Sequence, residues 1–132
     1  MLVVLAVSAA GAAERLEDGR YRIEVSLEVP NVLRPLRYGA VERCIHPAAA
    51  DGTFIVIIAD APLADCPTVH RHIENDRFTV ETVCPRANGG GRASASYQLG
   101  EDGFTGRIAI TAGGKNMRFT EVQRAARVGA CP

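Results

Sequence analysis

Residues 20–29 read RYRIEVSLEV, and this stretch decides the fold class. Apolar side chains occupy every second position from Tyr21 to Val29, and arginine, glutamate and serine stand between them. Because successive side chains of a strand point to opposite faces, the alternation predicts a β-strand with one buried and one solvated face. Pro30 and Asn31 end the pattern, since proline and asparagine favour turns.

The rest of the chain repeats such segments between turn signals, and none has a helical period longer than two turns. The predicted strands, in chain order, are 21–29, one ending at Ile45, a β-branched run at 54–58, the two arms of a hairpin that turns at 74–77, then 92–99, 104–110 and 117–122. The run at 54–58 is either a buried strand or a short covering segment. The sequence therefore predicts an all-β antiparallel meander of about seven or eight strands, as a small barrel or a curved sheet.

Met1 to Ala13 form an apolar run that ends in small side chains. Such a run is typical of a signal peptide, and we expect cleavage near Ala13 and a single β-domain over residues 14–132. The usual basic residues before the run are missing, so either the signal is weak or the true start lies upstream of Met1, and we favour the second explanation. One alternative is a buried first strand, and another is a membrane anchor, for which about a dozen apolar residues are too few.

The balance of positive and negative charge argues against nucleic acid as a partner. The chain has 15 Lys and Arg residues and 15 Asp and Glu residues. This balance gives no positive field that would gather nucleic acid or an anionic membrane. We therefore predict a protein that binds no nucleic acid. The short apolar run separately predicts that it is not an integral membrane protein.

Four cysteines, Cys44, Cys66, Cys84 and Cys131, indicate two structural disulfides formed in an oxidising compartment. None stands in a Cys-x-x-Cys pair, which argues against a thioredoxin-type site and a zinc ribbon. Four cysteines allow three pairings. The predicted hairpin brings Cys66 opposite Cys84, which leaves Cys44 to pair with Cys131.

A single sheet with one apolar face needs a cover, and the sequence leaves three possibilities open. The sheet closes on itself, the segment Ala48 to Leu63 folds over it, or a partner or apolar ligand covers it. The predicted inward residues Ala93, Ala95 and Gly106 are small. Small residues fit either tight closure or a space for a ligand.

The order of these landmarks resembles the DUF3617 family. They are Gly19, Arg20 and Tyr21 opening the first strand, Cys44 ending the second, the hairpin flanked by Cys66 and Cys84, Phe104, Thr105 and Gly106 in a later strand, and the near-terminal Cys131. Members of this family are small exported proteins of Gram-negative bacteria. The resemblance implies a periplasmic location and a β fold, and it implies no activity.

The sequence offers no catalytic residues and implies no cofactor, so we predict that the protein is not an enzyme. No serine stands in a Gly-x-Ser-x-Gly elbow, and oxidised cysteines supply no thiolate nucleophile. Possible metal ligands are His70, His72 and Glu74, because residues two apart in a strand share a face and imidazole with carboxylate suits zinc or copper. The alternative is a polar outer face of a hairpin arm whose inner face is Val69 and Ile73.

These observations predict a periplasmic, disulfide-stabilised β-domain that binds a partner and catalyses nothing. The partner is a small apolar ligand or an envelope protein, and its binding residues are not identified by the sequence. The alternative function is a periplasmic metal-binding protein centred on His70 and His72.

Overall fold

In a computed structural model, which describes residues 16–46, 66–85, 90–112 and 117–132, the chain forms one seven-stranded antiparallel sheet. The strands are β1 (Gly19–Glu28), β2 (Leu36–Ile45), β3 (Thr68–Glu74), β4 (Arg77–Val83), β5 (Arg92–Leu99), β6 (Gly103–Ala112) and β7 (Met117–Gly129). Their order is β2-β1-β7-β6-β5-β4-β3. The predicted all-β class is confirmed. Strands β3 to β7 form a meander, and the hairpin of β1 and β2 joins it through β7.

The sheet is open, so the predicted small barrel is wrong and the alternative, a curved sheet, holds. The edge strands are β2 and β3. Each contains an extra residue that interrupts its pairing, Tyr38 between the partners of Val25 and Ser26 in β2, and Val69 between Thr68 and His70 in β3. A bulge on an edge strand disfavours pairing with another strand. Two bulged edges are thus a physical reason why the sheet does not close.

Curvature lets the sheet bury its own inner face. Ile45 of β2 and Phe78 of β4 line the same small internal space, together with Leu16 and Leu99. Five strand spacings separate β2 from β4, and a flat sheet would hold them about 24 Å apart. The sheet therefore curls far enough to bring residues near opposite edges into one core.

The buried aromatic residues of the core lie at one end of the sheet, which we call the aromatic end. The rings of Tyr21 and Phe104 lie 5.9 Å apart, those of Tyr97 and Phe104 5.7 Å, and those of Phe78 and Tyr97 5.9 Å. Gly106 makes room for this cluster, because a Cβ there would lie 2.8 Å from two carbons of the Tyr97 ring. At this position, the small inward residue serves tight packing.

Both predicted disulfides are confirmed, and they lie at opposite ends of the sheet. Cys44 joins Cys131 at the aromatic end, where β2 finishes. Cys66 joins Cys84 at the other end, just outside the hairpin of β3 and β4. The Cα atoms are 5.7 Å apart in the first pair and 5.0 Å in the second, within the usual range for a disulfide.

Several predictions fall on other parts of the chain. The signal peptide with its cleavage near Ala13, the buried first strand, the run at 54–58 and the covering segment from Ala48 to Leu63 all lie outside the described residues. Within the described ranges, no helix is long and apolar enough to span a membrane. The last strand is longer than predicted, since it continues past Val122 to Gly129 and pairs there with β1.

Candidate functional site

Strand β2 differs from the other strands in how little of it is buried. Only Ile45 is buried and Val41 half-buried among its ten residues. The rest of the strand is exposed, including the apolar side chains of Leu36 and Tyr38. The turn before it adds Val32, which is 47% exposed, and Leu33, which is fully exposed. We call Val32, Leu33, Leu36 and Tyr38 the β2 surface.

A groove of about 570 Å³ borders this surface at the end of the sheet opposite the aromatic rings, which we call the groove end. The β1–β2 turn forms one wall and the adjoining ends of β6 and β7 form the other. Its apolar lining includes Val29, Val32, Leu33, Pro35, Ile110 and Phe119. The groove and the β2 surface share Val32 and Leu33, so they form one continuous apolar region.

A bidentate ion pair stands beside the groove. Arg107 of β6 donates to both carboxylate oxygens of Glu28, at 3.2 and 2.6 Å. These hydrogen bonds hold the pKa of Glu28 below its ordinary value and raise the pKa of Arg107 above its own. Glu28 ends β1, and β6 lies two strand spacings away across β7, so the pair ties the start of the β1–β2 turn to a central strand.

The structure places His70, His72 and Glu74 on one face of edge strand β3. Their register partners Glu81, Thr79 and Arg77 alternate along β4, which confirms that the three share a face. All three are exposed, and Nε2 of His72 lies 3.4 Å from Oε2 of Glu74. Of the predicted inner face of this arm, Ile73 pairs with the buried Phe78 and so faces inward, although 38% of it is exposed at the sheet edge. Val69 is a bulge residue without a register partner and is 56% exposed. A metal site at these histidines stays a prediction.

His46 lies in a different group of potential ligands, at the aromatic end. Over the described ranges, one set of three metal-ligating side chains has its donor atoms within 4.8 Å of one another, namely Cys44, His46 and Cys131. Nδ1 of His46 also lies 3.4 Å from Oδ2 of Asp18. The two cysteines are disulfide-bonded, so the group holds a disulfide beside an imidazole and a carboxylate.

The sequence analysis missed a buried polar pair on β7. Glu121 and Gln123 have no exposed surface, and Nε2 of Gln123 donates to Oε2 of Glu121 at 2.6 Å. The register sets Glu121 beside Ile108 and Gln123 beside Gly106 on the inner face. A buried carboxylate needs hydrogen-bond partners, and the amide supplies one. No sequence signal marks this pair as buried, because polar residues at alternate positions indicate an outer face.

The family described as "Protein of unknown function (DUF3617)" has a model that matches residues 16–131, which is most of the chain. No curated protein and no solved structure matches the sequence. The match covers all seven strands and all four cysteines.

Proposed function

Since the chain belongs to the DUF3617 family, we propose that it is an exported β-domain of the Gram-negative periplasm that binds another protein of the cell envelope. The two disulfides support export, because such bonds form and persist in oxidising compartments. The apolar run Met1 to Ala13 supplies the export signal in this proposal, with cleavage near Ala13.

The observation that carries the binding role is the exposure of the β2 surface. Strands β1, β4 and β5 bury alternate residues over most of their length, whereas β2 leaves Leu36 and Tyr38 in solvent beside the exposed turn residues Val32 and Leu33. Single exposed apolar residues are ordinary, but a contiguous patch next to a groove is typical of an interaction site. The patch lies at an edge of the described sheet, where an extended segment can approach it.

A protein segment fits this region better than a small apolar ligand. The internal space lined by Ile45, Phe78 and Phe104 has a volume of about 10 Å³, which is no more than a single water molecule needs. The accessible apolar area instead lies outside, along a strand edge. Edge strands bind extended peptides through backbone hydrogen bonds, and neighbouring pockets select the side chains. We therefore propose that the partner's extended segment pairs with β2 beyond the bulge, from Gly39 to Ile45. The segment continues past Tyr38 and Leu36, so that its apolar side chains reach the groove.

The test is site-specific photocrosslinking in the native host. A photoreactive phenylalanine analogue replaces Leu33 or Tyr38, and a matched control carries it at Ser96, an exposed residue of β5 in the middle of the sheet. We expect a discrete crosslinked protein from the first two positions and none from Ser96. The crosslinked product should decrease when Leu36→Ser is added. Equal crosslinking at all three positions, or none at any, would contradict the proposal.

Export is tested separately on the same cells. The periplasmic fraction should contain a chain whose first residue follows Ala13, with a mass four hydrogens below that of its reduced form. A chain that keeps residues 1–13 and stays in the cytoplasm contradicts export. That result leaves the crosslinking experiment to decide the binding role independently.

A further inference from the structure

The Cys44–Cys131 disulfide differs from the other disulfide in its surroundings. Cys44 is exposed and Cys131 half-buried, whereas Cys66 and Cys84 are only 7% and 5% exposed. Thiol exchange requires a thiolate to reach one of the two sulfurs, so exposed disulfides react more readily. A soluble dithiol should therefore reduce Cys44–Cys131 before Cys66–Cys84.

His46 stands where it can bind a metal together with the two sulfurs. Cys44 faces outward because its neighbour Ile45 is buried, and His46 follows two residues after Cys44 and is also exposed. The sulfurs and an imidazole nitrogen lie within 4.8 Å of one another. Tetrahedral zinc with bonds of about 2.0 to 2.3 Å needs ligand atoms somewhat less than 4 Å apart, so small side-chain rotations suffice.

Asp18 positions the imidazole. Its Oδ2 lies 3.4 Å from Nδ1 of His46, which leaves Nε2 for a metal. The backbone of Asp18 is itself fixed, since its carbonyl accepts a hydrogen bond of 3.2 Å from Nε of Arg127. A carboxylate on the second nitrogen of a histidine ligand fixes the ring and makes it more basic.

The local charge also suits a cation. Arg20 lies opposite Cys44 in the register, but its Nε is 3.6 Å from Oε2 of Glu42, which offsets the positive charge. The positive charge of Arg127 beside Asp18 is likewise offset, because its Nε lies 3.9 Å from Oε2 of Glu17. Asp18 adds a further negative charge on the same side. We infer that reduction of the Cys44–Cys131 disulfide creates a zinc site with Cys44, Cys131 and His46 as ligands and an exchangeable water in the fourth position.

A dithiol serves as the reductant of the Cys44–Cys131 disulfide. One thiolate of the dithiol attacks a sulfur of the disulfide, and its second thiol completes the exchange, so the dithiol becomes a cyclic disulfide. Two electrons pass to Cys44 and Cys131, which become thiols with the two protons from the dithiol. Zinc then displaces those two protons into solvent, because the thiolate is the ligand. Reoxidation of the thiolates by a disulfide oxidant reverses both steps and releases the metal.

The experiment compares the oxidised chain with the chain reduced by limited dithiothreitol, desalted under argon, and then mixed with zinc. Native mass spectrometry counts bound metal, and alkylation with peptide mapping shows which cysteines are reduced. Far-ultraviolet circular dichroism reports folding. We expect one zinc per reduced chain, no stoichiometric zinc on the oxidised chain, and an intact Cys66–Cys84 bond in the metal-bound species. Cobalt in place of zinc should give a thiolate charge-transfer band.

Matched variants separate this site from other ligands. Cys44→Ser/Cys131→Ser should abolish zinc binding, and Asp18→Asn should weaken it roughly tenfold. His46→Ala should remove stoichiometric binding, whereas His70→Ala/His72→Ala, which deletes two histidines on β3, should bind zinc like the parent chain. Equal zinc on oxidised and reduced chains overturns the inference, and so does unchanged binding by His46→Ala. A reduced chain that unfolds and is not refolded by one equivalent of zinc overturns it as well.

Discussion

The two ends of the sheet differ in which side chains fill the core and in whether the disulfide is part of it. At the aromatic end, Tyr21, Phe78, Tyr97 and Phe104 fill the inner face, and the disulfide of that end lies outside this core. The groove end lacks such a ring cluster among the described residues, and there the buried disulfide of Cys66 and Cys84 belongs to the core itself.

This difference indicates what each disulfide contributes. The Cys66–Cys84 sulfurs are buried within the core, and they hold a hairpin that is already local in sequence. Cys44–Cys131 adds little packing, but it closes a loop with a sequence separation of 87 and fastens β2 to the end of the chain. Because the Cys44–Cys131 disulfide lies outside the core, its sulfurs are accessible to thiols in solution.

Removing a disulfide should produce the largest losses of stability, and the exposed disulfide should contribute more than the buried one through loop closure. Cys44→Ala/Cys131→Ala is expected to lower the free energy of unfolding by about 4.6 kcal/mol, from the loop-entropy relation for a separation of 87. The same relation gives about 3 kcal/mol for the separation of 18 in Cys66→Ala/Cys84→Ala, before the lost burial is added. Urea unfolding under oxidising conditions measures both. A loss under about 1 kcal/mol for the first variant contradicts its role as the chain closure.

The aromatic end should depend on its rings more than the groove end does. Phe104→Ala removes a buried ring that contacts two others, and we expect a loss of about 3 to 5 kcal/mol. Phe119→Ala is the matched change at the groove end, where the ring is half-buried, and it should cost less than half as much. Urea unfolding of both variants gives the ratio. Equal losses would show that the two ends are packed alike.

The sequence predicted the parts of this fold that follow from local pattern. Alternation located β1, β5 and β6, and the hairpin geometry selected the cysteine pairs. It did not predict the length of β7, because Glu121 and Gln123 break the alternation and face inward. Their orientation is set by the register with β1 and β6 on either side, which is a long-range property.

The candidate site was less predictable for a related reason. The histidines of β3 were recognisable because their spacing is local, whereas the grouping of His46 with Cys131 joins residues far apart in the sequence. The exposure of Leu36 and Tyr38 could not be read from the pattern either, since apolar residues in a predicted strand normally indicate a buried face. Their exposure follows from the edge position of β2 and its bulge.

Gly106 tests how closely the aromatic end is packed. Gly106→Ala places a methyl group 2.8 Å from the Tyr97 ring, and we expect a loss of about 1 to 3 kcal/mol from overpacking. Thr105→Ala, on the exposed face of the same strand, should change stability by less than about 0.5 kcal/mol. In urea unfolding, Tyr97→Leu should reduce the cost of Gly106→Ala in the double variant. Additive losses would show that the ring is not what limits the space.

The smallest expected effect is the acid sensitivity of the groove end. The hydrogen bonds from Arg107 hold the pKa of Glu28 below its ordinary value near 4.5, so the folded state favours the ionised carboxylate. The contribution of this pair to stability is therefore fully present above the pKa of Glu28 in the unfolded chain, and it is lost as the pH falls through the lower pKa of the folded state. The pKa of Arg107 is raised, so that group stays charged throughout this range.

Glu28→Gln should accordingly narrow the gap in stability between neutral and acid pH, and the change should be small because the pair is exposed and screened by salt. Thermal unfolding between pH 3 and pH 7 at low ionic strength measures this gap. Arg107→Gln should shift the same pH window, and the double variant should add nothing to either single one. If the two single variants differ in pH profile, the acid sensitivity belongs to other carboxylates and the ion pair does not fasten the β1–β2 turn.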